Sequence, residues 1–148
     1  MKRFQVGYTQ GVFDMFHIGH LNLLNRAKAM CEQLIVGVNS DALVQEYKHK
    51  TPLIAQEERR TIVENIKAVD RAVIADTLDK TVAYGAFHFD AIFIGDDWMG
   101  NARWEETRRQ MQALGVELIY LPYTRGISSS LLREMELHNQ QQEMKGKS

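Results

Sequence analysis

The sequence has a single cysteine, Cys31, among its 148 residues. One cysteine excludes an internal disulfide framework and any zinc site built from a cysteine cluster. Long apolar segments are also absent, since none approaches the roughly 18 residues of a membrane-spanning helix. Charge of one sign is lacking too: 18 lysines and arginines face 19 aspartates and glutamates. We therefore expect no partner of the nucleic-acid or membrane kind, and any polyanion site must be built locally.

The N-terminal segment MKRFQVGYTQG turns polar after a few residues and lacks the apolar core of a signal peptide. A cytoplasmic location is the expectation that follows. The length fits one domain, which we assign to residues 1–138. The segment 139–148 has one apolar residue, Met144, and is predicted to be a flexible tail.

Short apolar segments alternate with longer segments of helical period. Five segments rich in Val, Ile and Phe are predicted strands, at 4–8, 34–39, 71–75, 91–95 and 116–121. Two apolar stripes predict helices, one through Leu21, Leu24, Ala27 and Cys31, and one through Ile62, Val63, Ile66 and Val69. This alternation predicts an α/β fold, a doubly wound, Rossmann-like parallel sheet of about five strands with helices on both faces.

Ligands of an open parallel sheet bind beyond the carboxyl ends of its strands. Four polar segments follow predicted strands, at 10–20, 40–51, 95–100 and 123–130. We expect the functional groups of the protein to lie in these segments.

The first of these segments places His17 and His20 around Gly19 where a helix begins, after a turn that starts at Gly11. A helix N-terminus offers unpaired N–H groups and a positive dipole end, and glycine lets a ligand approach the backbone. The pattern predicts a phosphate site with a histidine on each side. Structural turn histidines, or half of a metal site, are the alternative interpretations.

The last segment carries Ser128, Ser129 and Ser130 before a predicted amphipathic helix, close behind Arg125. Helix capping alone would use one hydroxyl. Three hydroxyls, free N–H groups and a cation suit the outer phosphates of a nucleoside triphosphate, so both interpretations stand.

The two middle segments are open to more than one interpretation. Lys48 and Lys50 lie in a predicted loop and are either a clamp for phosphates or solvated surface. Asp96 and Asp97 could hold Mg²⁺ or a ribose hydroxyl, beside the flat ring of Trp98, or they could cap a helix. The other histidines, His49, His88 and His138, are predicted to be surface or packing residues.

Two segments together carry a resemblance to a known family. The segment His17-Ile18-Gly19-His20 and the segment from Gly126 to Ser130 resemble the two signatures of the cytidylyltransferase branch of the HxGH nucleotidyltransferases. These are relatives of the catalytic domains of class I aminoacyl-tRNA synthetases. The length and the Gly95-Asp96-Asp97-Trp98 segment are most similar to the glycerol-3-phosphate cytidylyltransferases.

The resemblance implies a role for each matched position. The catalytic residues would be His17, His20, Lys48 and Ser129. The nucleotide-binding residues would be Gly11, Val12, Phe13, Asp14, Gly19, Asp96, Thr124, Arg125, Gly126, Ile127, Ser128 and Ser130. The residues at the second substrate would be Lys50, Arg59, Lys80, Asp97 and Trp98, with Arg59 helping to order the site. The sequence departs from the family pattern at Val12, often threonine, and at Tyr123, usually arginine.

The implied reaction transfers CMP from CTP to a small phosphorylated alcohol. The first candidate acceptor is sn-glycerol 3-phosphate, giving CDP-glycerol and pyrophosphate, and the alternative acceptors are choline phosphate and ethanolamine phosphate. Mg²⁺ or another divalent cation is the implied cofactor, with ligands that the sequence does not assign. The resemblance also implies a homodimer. A regulatory nucleotide-binding module without turnover is the competing class, and two intact signatures argue against it.

Overall fold

Strands and helices alternate along the chain, as the sequence predicts. The computed structural model describes residues 2–95 and 99–122. Its elements are β1 (Phe4–Gly11), α1 (Ile18–Met30), β2 (Cys31–Asn39), α2 (Asp41–Lys48), α3 (Gln56–Glu64), β3 (Arg71–Ala75), α4 (Lys80–Phe87), β4 (Ala91–Gly95), α5 (Ala102–Ala113) and β5 (Glu117–Leu121). In these two ranges, no helix has the length and apolar character needed to cross a membrane.

The five strands form one parallel sheet in the order β3-β2-β1-β4-β5. Leu24 and Ala27 of α1 and Val63 of α3 pack in a core on one face. Trp104 and Met111 of α5 pack in a second core on the other face. The chain therefore winds outward in both directions from β1 and β4, and the predicted α/β, doubly wound fold is confirmed. Such a sheet binds ligands where the strand order reverses, at the carboxyl ends of β1 and β4.

The predicted strands 71–75 and 91–95 match β3 and β4, whereas β5 begins one residue after the predicted start. The predicted end of the first strand, at residue 8, is wrong because β1 continues to Gly11. Its last polar side chains are satisfied within the fold: Thr9 Oγ1 donates to the Phe93 carbonyl at 2.9 Å, and Gln10 Nε2 donates to Asn39 Oδ1 at 2.9 Å. Polar residues at a strand end hide the strand from a hydrophobicity pattern.

The assignment of Cys31 to the first helical stripe is also wrong. Helix α1 ends at Met30, and Cys31 starts β2 in an extended conformation while its N–H still donates to the Lys28 carbonyl. Cys31 is fully buried in the core. An apolar residue at this position fits the core from either element, so the pattern alone does not locate the boundary.

The second apolar stripe is only partly helical. Helix α3 ends at Glu64, and within it Val63 is buried whereas Ile62 is 43% exposed. Ile66 and Val69 reach the same core from the turn that follows the helix. A turn can place apolar residues on a core as a helix does, which is why the periodicity suggests a longer helix.

The polar segment 40–51, after the second strand, contains helix α2, although only residues 48–50 were predicted to form a loop. Ser40 caps its start, since the hydroxyl accepts the Leu43 N–H at 3.1 Å. Leu43 and Val44 are buried, and Lys48 is the last residue of the helix. Two apolar residues are too few to give a clear helical period.

Arg59 on α3 is a buried side chain that makes four hydrogen bonds within the protein. It is 1% exposed, and its guanidinium donates to the carbonyls of Ile54, Val12 and Asn39 and to Asp41 Oδ1, at 2.7–2.8 Å. All four acceptors belong to the protein. In this structure Arg59 orders the segments around the site, as the resemblance implies, and its predicted contact with the second substrate stays a prediction.

We expect Arg59→Met to lower the free energy of unfolding by about 3 kcal/mol, because it leaves buried carbonyls and a carboxylate without their donor. The matched control is Arg60→Met on the same helix, whose guanidinium makes surface ion pairs with Glu57 and Glu64 and should matter far less. Urea unfolding at pH 7 measures both variants. Equal stability of the two variants would contradict the role of Arg59.

Candidate active site

A tight loop of residues 12–17, called here the histidine loop, joins β1 to α1. His17 is its last residue, and His20 lies in the first turn of α1. Phe13 and Met15 adopt left-handed backbone conformations, with φ of 54° and 49°, which non-glycine residues adopt at a cost. Between them, Asp14 accepts the N–H groups of Leu53 and Ile54 at 2.9 and 3.0 Å. Asp14 is 5% exposed. Its carboxylate holds the loop against the segment before α3, and its predicted nucleotide contact stays a prediction.

His17 and His20 cap the start of α1 reciprocally. His17 is the N-cap residue, and its Nδ1 accepts the Gly19 N–H at 3.0 Å. His20 Nδ1 accepts the His17 N–H at 3.2 Å. Two backbone N–H groups at this helix start, those of His17 and Gly19, are thus bonded to the rings. A neutral ring that accepts at Nδ1 carries its proton on Nε2, so each histidine presents an Nε2–H donor.

The surroundings of His20 favour its neutral form. Its ring stacks on that of His17 at 3.8 Å and lies 5.3 Å from the Phe13 ring and 5.2 Å from the Phe16 ring, centroid to centroid. Burial, reinforced by His17 and opposed by Asp14, lowers the pKa of His20 to about 4. Burial also lowers the pKa of His17. At neutral pH both rings are uncharged donors.

The predicted lysines lie in two different environments. Lys48 and Lys50 are exposed at the end of α2 and just beyond it, with Lys48 Nζ 5.6 Å from the centroid of the Tyr47 ring. Lys80, at the start of α4, is only 4% exposed. Its Nζ donates to the Leu78 carbonyl at 2.7 Å and lies 4.9 Å from the Trp104 ring centroid.

The pKa of Lys80 is lowered to about 8, first by burial and then by the nearby Arg103, against the opposing effect of Asp79. The ammonium is still mostly protonated at pH 7. A buried cation of this kind gains most from an anionic partner.

A chain of polar side chains that the sequence did not reveal lies at the carboxyl ends of β1 and β2. Tyr8 Oη donates to Gln10 Oε1 at 2.6 Å, Gln10 Nε2 donates to Asn39 Oδ1, and Asn39 Nδ2 donates to Tyr47 Oη at 3.1 Å. Gly37 leaves room for the Tyr8 hydroxyl, which a Cβ there would overlap. The available signal was that Gln10 and Asn39 are polar residues at strand ends.

The remaining predicted site residues lie outside the described residues. They are Asp96, Asp97, Trp98, Thr124, Arg125, Gly126, Ile127, Ser128, Ser129 and Ser130, and the predicted tail and His138 lie outside as well. His49 and His88 end α2 and α4 at exposed positions, as predicted for surface residues. Within 2–95 and 99–122, no three potential metal-ligating side chains come together.

Comparison with known proteins identifies the family. The sequence model of the cytidylyltransferase-like family matches residues 8–135. This match spans most of the chain, and the protein belongs to the cytidylyltransferase-like family of nucleotidyltransferases.

Two individual relatives of the chain carry different names. The chain is 34% identical to the glycerol-3-phosphate cytidylyltransferase of Bacillus spizizenii, over 85% of this chain and 92% of that protein. It is 41% identical over 95 residues to the bifunctional protein HldE of a Caulobacter species, which covers 64% of this chain. The chain spans about a fifth of the length of such bifunctional relatives.

A solved structure shares the fold. The lipopolysaccharide core biosynthesis protein of Thermoplasma volcanium superimposes with a TM-score of 0.68 at 23% identity, over 82% of this chain and 97% of that one. At this identity the likeness supports the architecture alone.

The lowered pKa of His20 predicts a pH dependence of stability. Between about pH 6.5, the value of an unperturbed histidine, and about pH 4, the unfolded chain binds a proton that the folded protein does not. The contribution of His20 is present above this window and is lost as the pH falls through it. We expect His20→Gln, which keeps an acceptor for the His17 N–H, to lose less free energy of unfolding between pH 7 and pH 5 than the unmodified protein.

Urea unfolding at pH 7, 6 and 5 measures this difference. His88→Asn is the control, since it changes an exposed histidine to a residue that tolerates the left-handed backbone. An identical pH dependence in His20→Gln and the unmodified protein would contradict the assignment.

Proposed function

We propose that the protein is a cytidylyltransferase that transfers CMP from CTP to a small phosphorylated alcohol, with sn-glycerol 3-phosphate as the first candidate. The observation that carries the proposal is the pair of neutral Nε2–H donors of His17 and His20. They lie at the N-terminus of α1 and at the carboxyl end of β1, where a sheet of this topology binds its ligands. Donors in this place suit the oxygens of a phosphate chain.

The reaction needs positioning and charge stabilisation more than proton transfer. The nucleophile is an oxygen of the acceptor phosphate, whose second pKa is about 6, so that it is already mostly dianionic at pH 7. It bonds to the α-phosphorus of CTP while the bond from that phosphorus to the bridging oxygen breaks, and pyrophosphate leaves with the electron pair. No general base is required. Donors and cations at the α-phosphate stabilise the charge that develops there.

The lysines supply the positive charge that neutral histidines do not. Lys48 and Lys50 are exposed, at the end of α2 and just beyond it. In this proposal their ammonium groups contact the phosphates of CTP and the acceptor. Lys80 is buried beside Trp104 and would hold the acceptor phosphate.

Mg²⁺ remains part of the proposal, but the described residues offer no cluster of ligands for it. In phosphoryl-transfer sites the ion is commonly bound by one or two carboxylates and the substrate phosphates. The predicted homodimer and cytoplasmic location also stay predictions.

The acceptor preference has two lines of support. The relative from Bacillus spizizenii that matches nearly its full length is a glycerol-3-phosphate cytidylyltransferase. In addition, the Trp104 ring is covered by the Lys80 ammonium, and the Tyr47 ring lies near Lys48 and Arg103. Rings that already contact cations offer less to another cation, so Trp104 and Tyr47 do not provide a cage for choline phosphate or ethanolamine phosphate.

The direct test incubates the protein with each nucleoside triphosphate and each of the three phosphorylated alcohols, and follows pyrophosphate release. We expect release with CTP and sn-glycerol 3-phosphate. Release only with choline phosphate or ethanolamine phosphate would establish the alternative acceptor. CTP binding without release in any combination would favour a regulatory module.

Two histidine variants test the catalytic role while preserving the helix start. His17→Asn keeps an N-cap side chain, and His20→Gln keeps an acceptor for the His17 N–H, but both remove the Nε2–H donor. We expect each to lower kcat on the order of 100-fold or more, the usual cost of losing a donor to developing charge. Near-normal turnover in both variants, with unchanged thermal unfolding, would restore the interpretation of structural turn histidines.

The exposed lysines give a second kinetic prediction. Lys48→Ala and Lys50→Ala should raise KM for CTP or the acceptor, because each removes a cation that contacts phosphate. Thermal stability should change little, since both side chains are exposed. Unchanged kinetics of the double variant would show that the two lysines are solvated surface.

A further inference from the structure

A side chain of α5 contacts a side chain of α2 across the carboxyl end of β1. The Arg103 guanidinium, in the first turn of α5, has its Cζ 5.9 Å from the centroid of the Tyr47 ring of α2. Helix α2 follows β2 and α5 follows β4, and β1 lies between these two strands. The contact therefore spans the end of the strand that leads into the histidine loop.

Several of the described side chains around this contact are hydrogen-bond donors. Next to Arg103 in sequence, Trp104 has a buried indole N–H with no acceptor in the described part of the chain. Lys80 Nζ lies against the same indole ring. The nearby carboxylate of Asp79 already accepts the N–H and O–H of Thr81. Two cations and a buried donor in one place match a ligand that is anionic and rich in acceptor oxygens.

We propose that Arg103 binds the phosphate of the acceptor together with Lys80, and that Tyr47 positions the Arg103 guanidinium for this contact. The inference rests on the proposed function and deepens it, because it assigns a second cation to the acceptor. The ligand class is a phosphomonoester dianion.

The arrangement suits this role because it reduces the freedom of a long side chain. A guanidinium held beside an aromatic ring loses part of its conformational freedom, and its fork of N–H groups can bind two phosphate oxygens. The Tyr47 ring is itself held by the Asn39 amide, which Gln10 holds in turn. Arg103 thus reaches the acceptor from the β4 side, while Lys48 and Lys50 lie on the β2 side.

The first measurement compares steady-state kinetics of Arg103→Gln, Arg103→Lys and the control Arg109→Gln, with CTP and sn-glycerol 3-phosphate. Arg109 lies on the same helix, where it pairs with Glu106 on the surface. We expect Arg103→Gln to raise KM for the acceptor on the order of tenfold, as losing a charged hydrogen bond does, with KM for CTP changed less than twofold. Arg103→Lys should recover part of the loss, and Arg109→Gln should match the unmodified protein.

The pH profile measures the coupling between the charges of Arg103 and Lys80 while the acceptor is bound. Burial and Arg103 hold the pKa of Lys80 at about 8, against Asp79, so acceptor affinity should fall as Lys80 loses its proton above that pH. Removing the charge in Arg103→Gln removes its repulsion and raises the pKa of Lys80. The fall in affinity should therefore move to higher pH in this variant. Tyr47 stays neutral in this range, because burial raises the pKa of its hydroxyl.

Binding of sn-glycerol 3-phosphate, measured by calorimetry from pH 7 to pH 9 without turnover, separates the two proposals. Weaker binding in Arg103→Gln, with the shifted profile, supports the inference even if pyrophosphate release fails and the proposed reaction falls. Unchanged affinity and profile in Arg103→Gln would overturn the inference while leaving the reaction standing. No binding by the unmodified protein would overturn it as well.

Discussion

The Arg59 guanidinium is the interaction on which the arrangement of the site depends. It joins the Val12 carbonyl of the histidine loop to the end of β2 at Asn39 and to the start of α2 at Asp41. A buried cation with only protein acceptors is costly to remove, because its acceptors then lose their partner in a poorly solvated place. The loop, the strand end and the helix that carries Lys48 are therefore held as one unit.

In each of the two histidines, one ring nitrogen stabilises the start of α1 and the other is a hydrogen-bond donor. Each ring uses Nδ1 to satisfy a backbone N–H at the start of α1 and so leaves Nε2–H for a ligand. The cap fixes the tautomer that donates, and the burial of His20 between aromatic rings keeps it uncharged. The His17 and Gly19 N–H groups are bonded to the rings, so in the proposed function the imidazole Nε2–H groups are the donors offered to a ligand.

The sequence predicts well whatever depends on local pattern. The strands β3 and β4 are short apolar segments of a buried parallel sheet, and their predicted bounds match the structure. The end of β1 was missed because its polar residues are satisfied by neighbours distant in sequence, Phe93 and Asn39. The helix α2 was missed because its two buried residues, Leu43 and Val44, do not show a helical period.

The same limit applies to the site. The histidine motif is local and was predicted, whereas the structural role of Asp14 depends on Leu53 and Ile54, about forty residues away. The meeting of Arg103 with Tyr47 is tertiary as well, so no spacing in the chain announces it. With a net charge of −1, the protein has no general attraction for anions. In the proposed function, cations from α2, α4 and α5 supply a positive field confined to the carboxyl edge of the sheet, because the neutral histidines add no charge there.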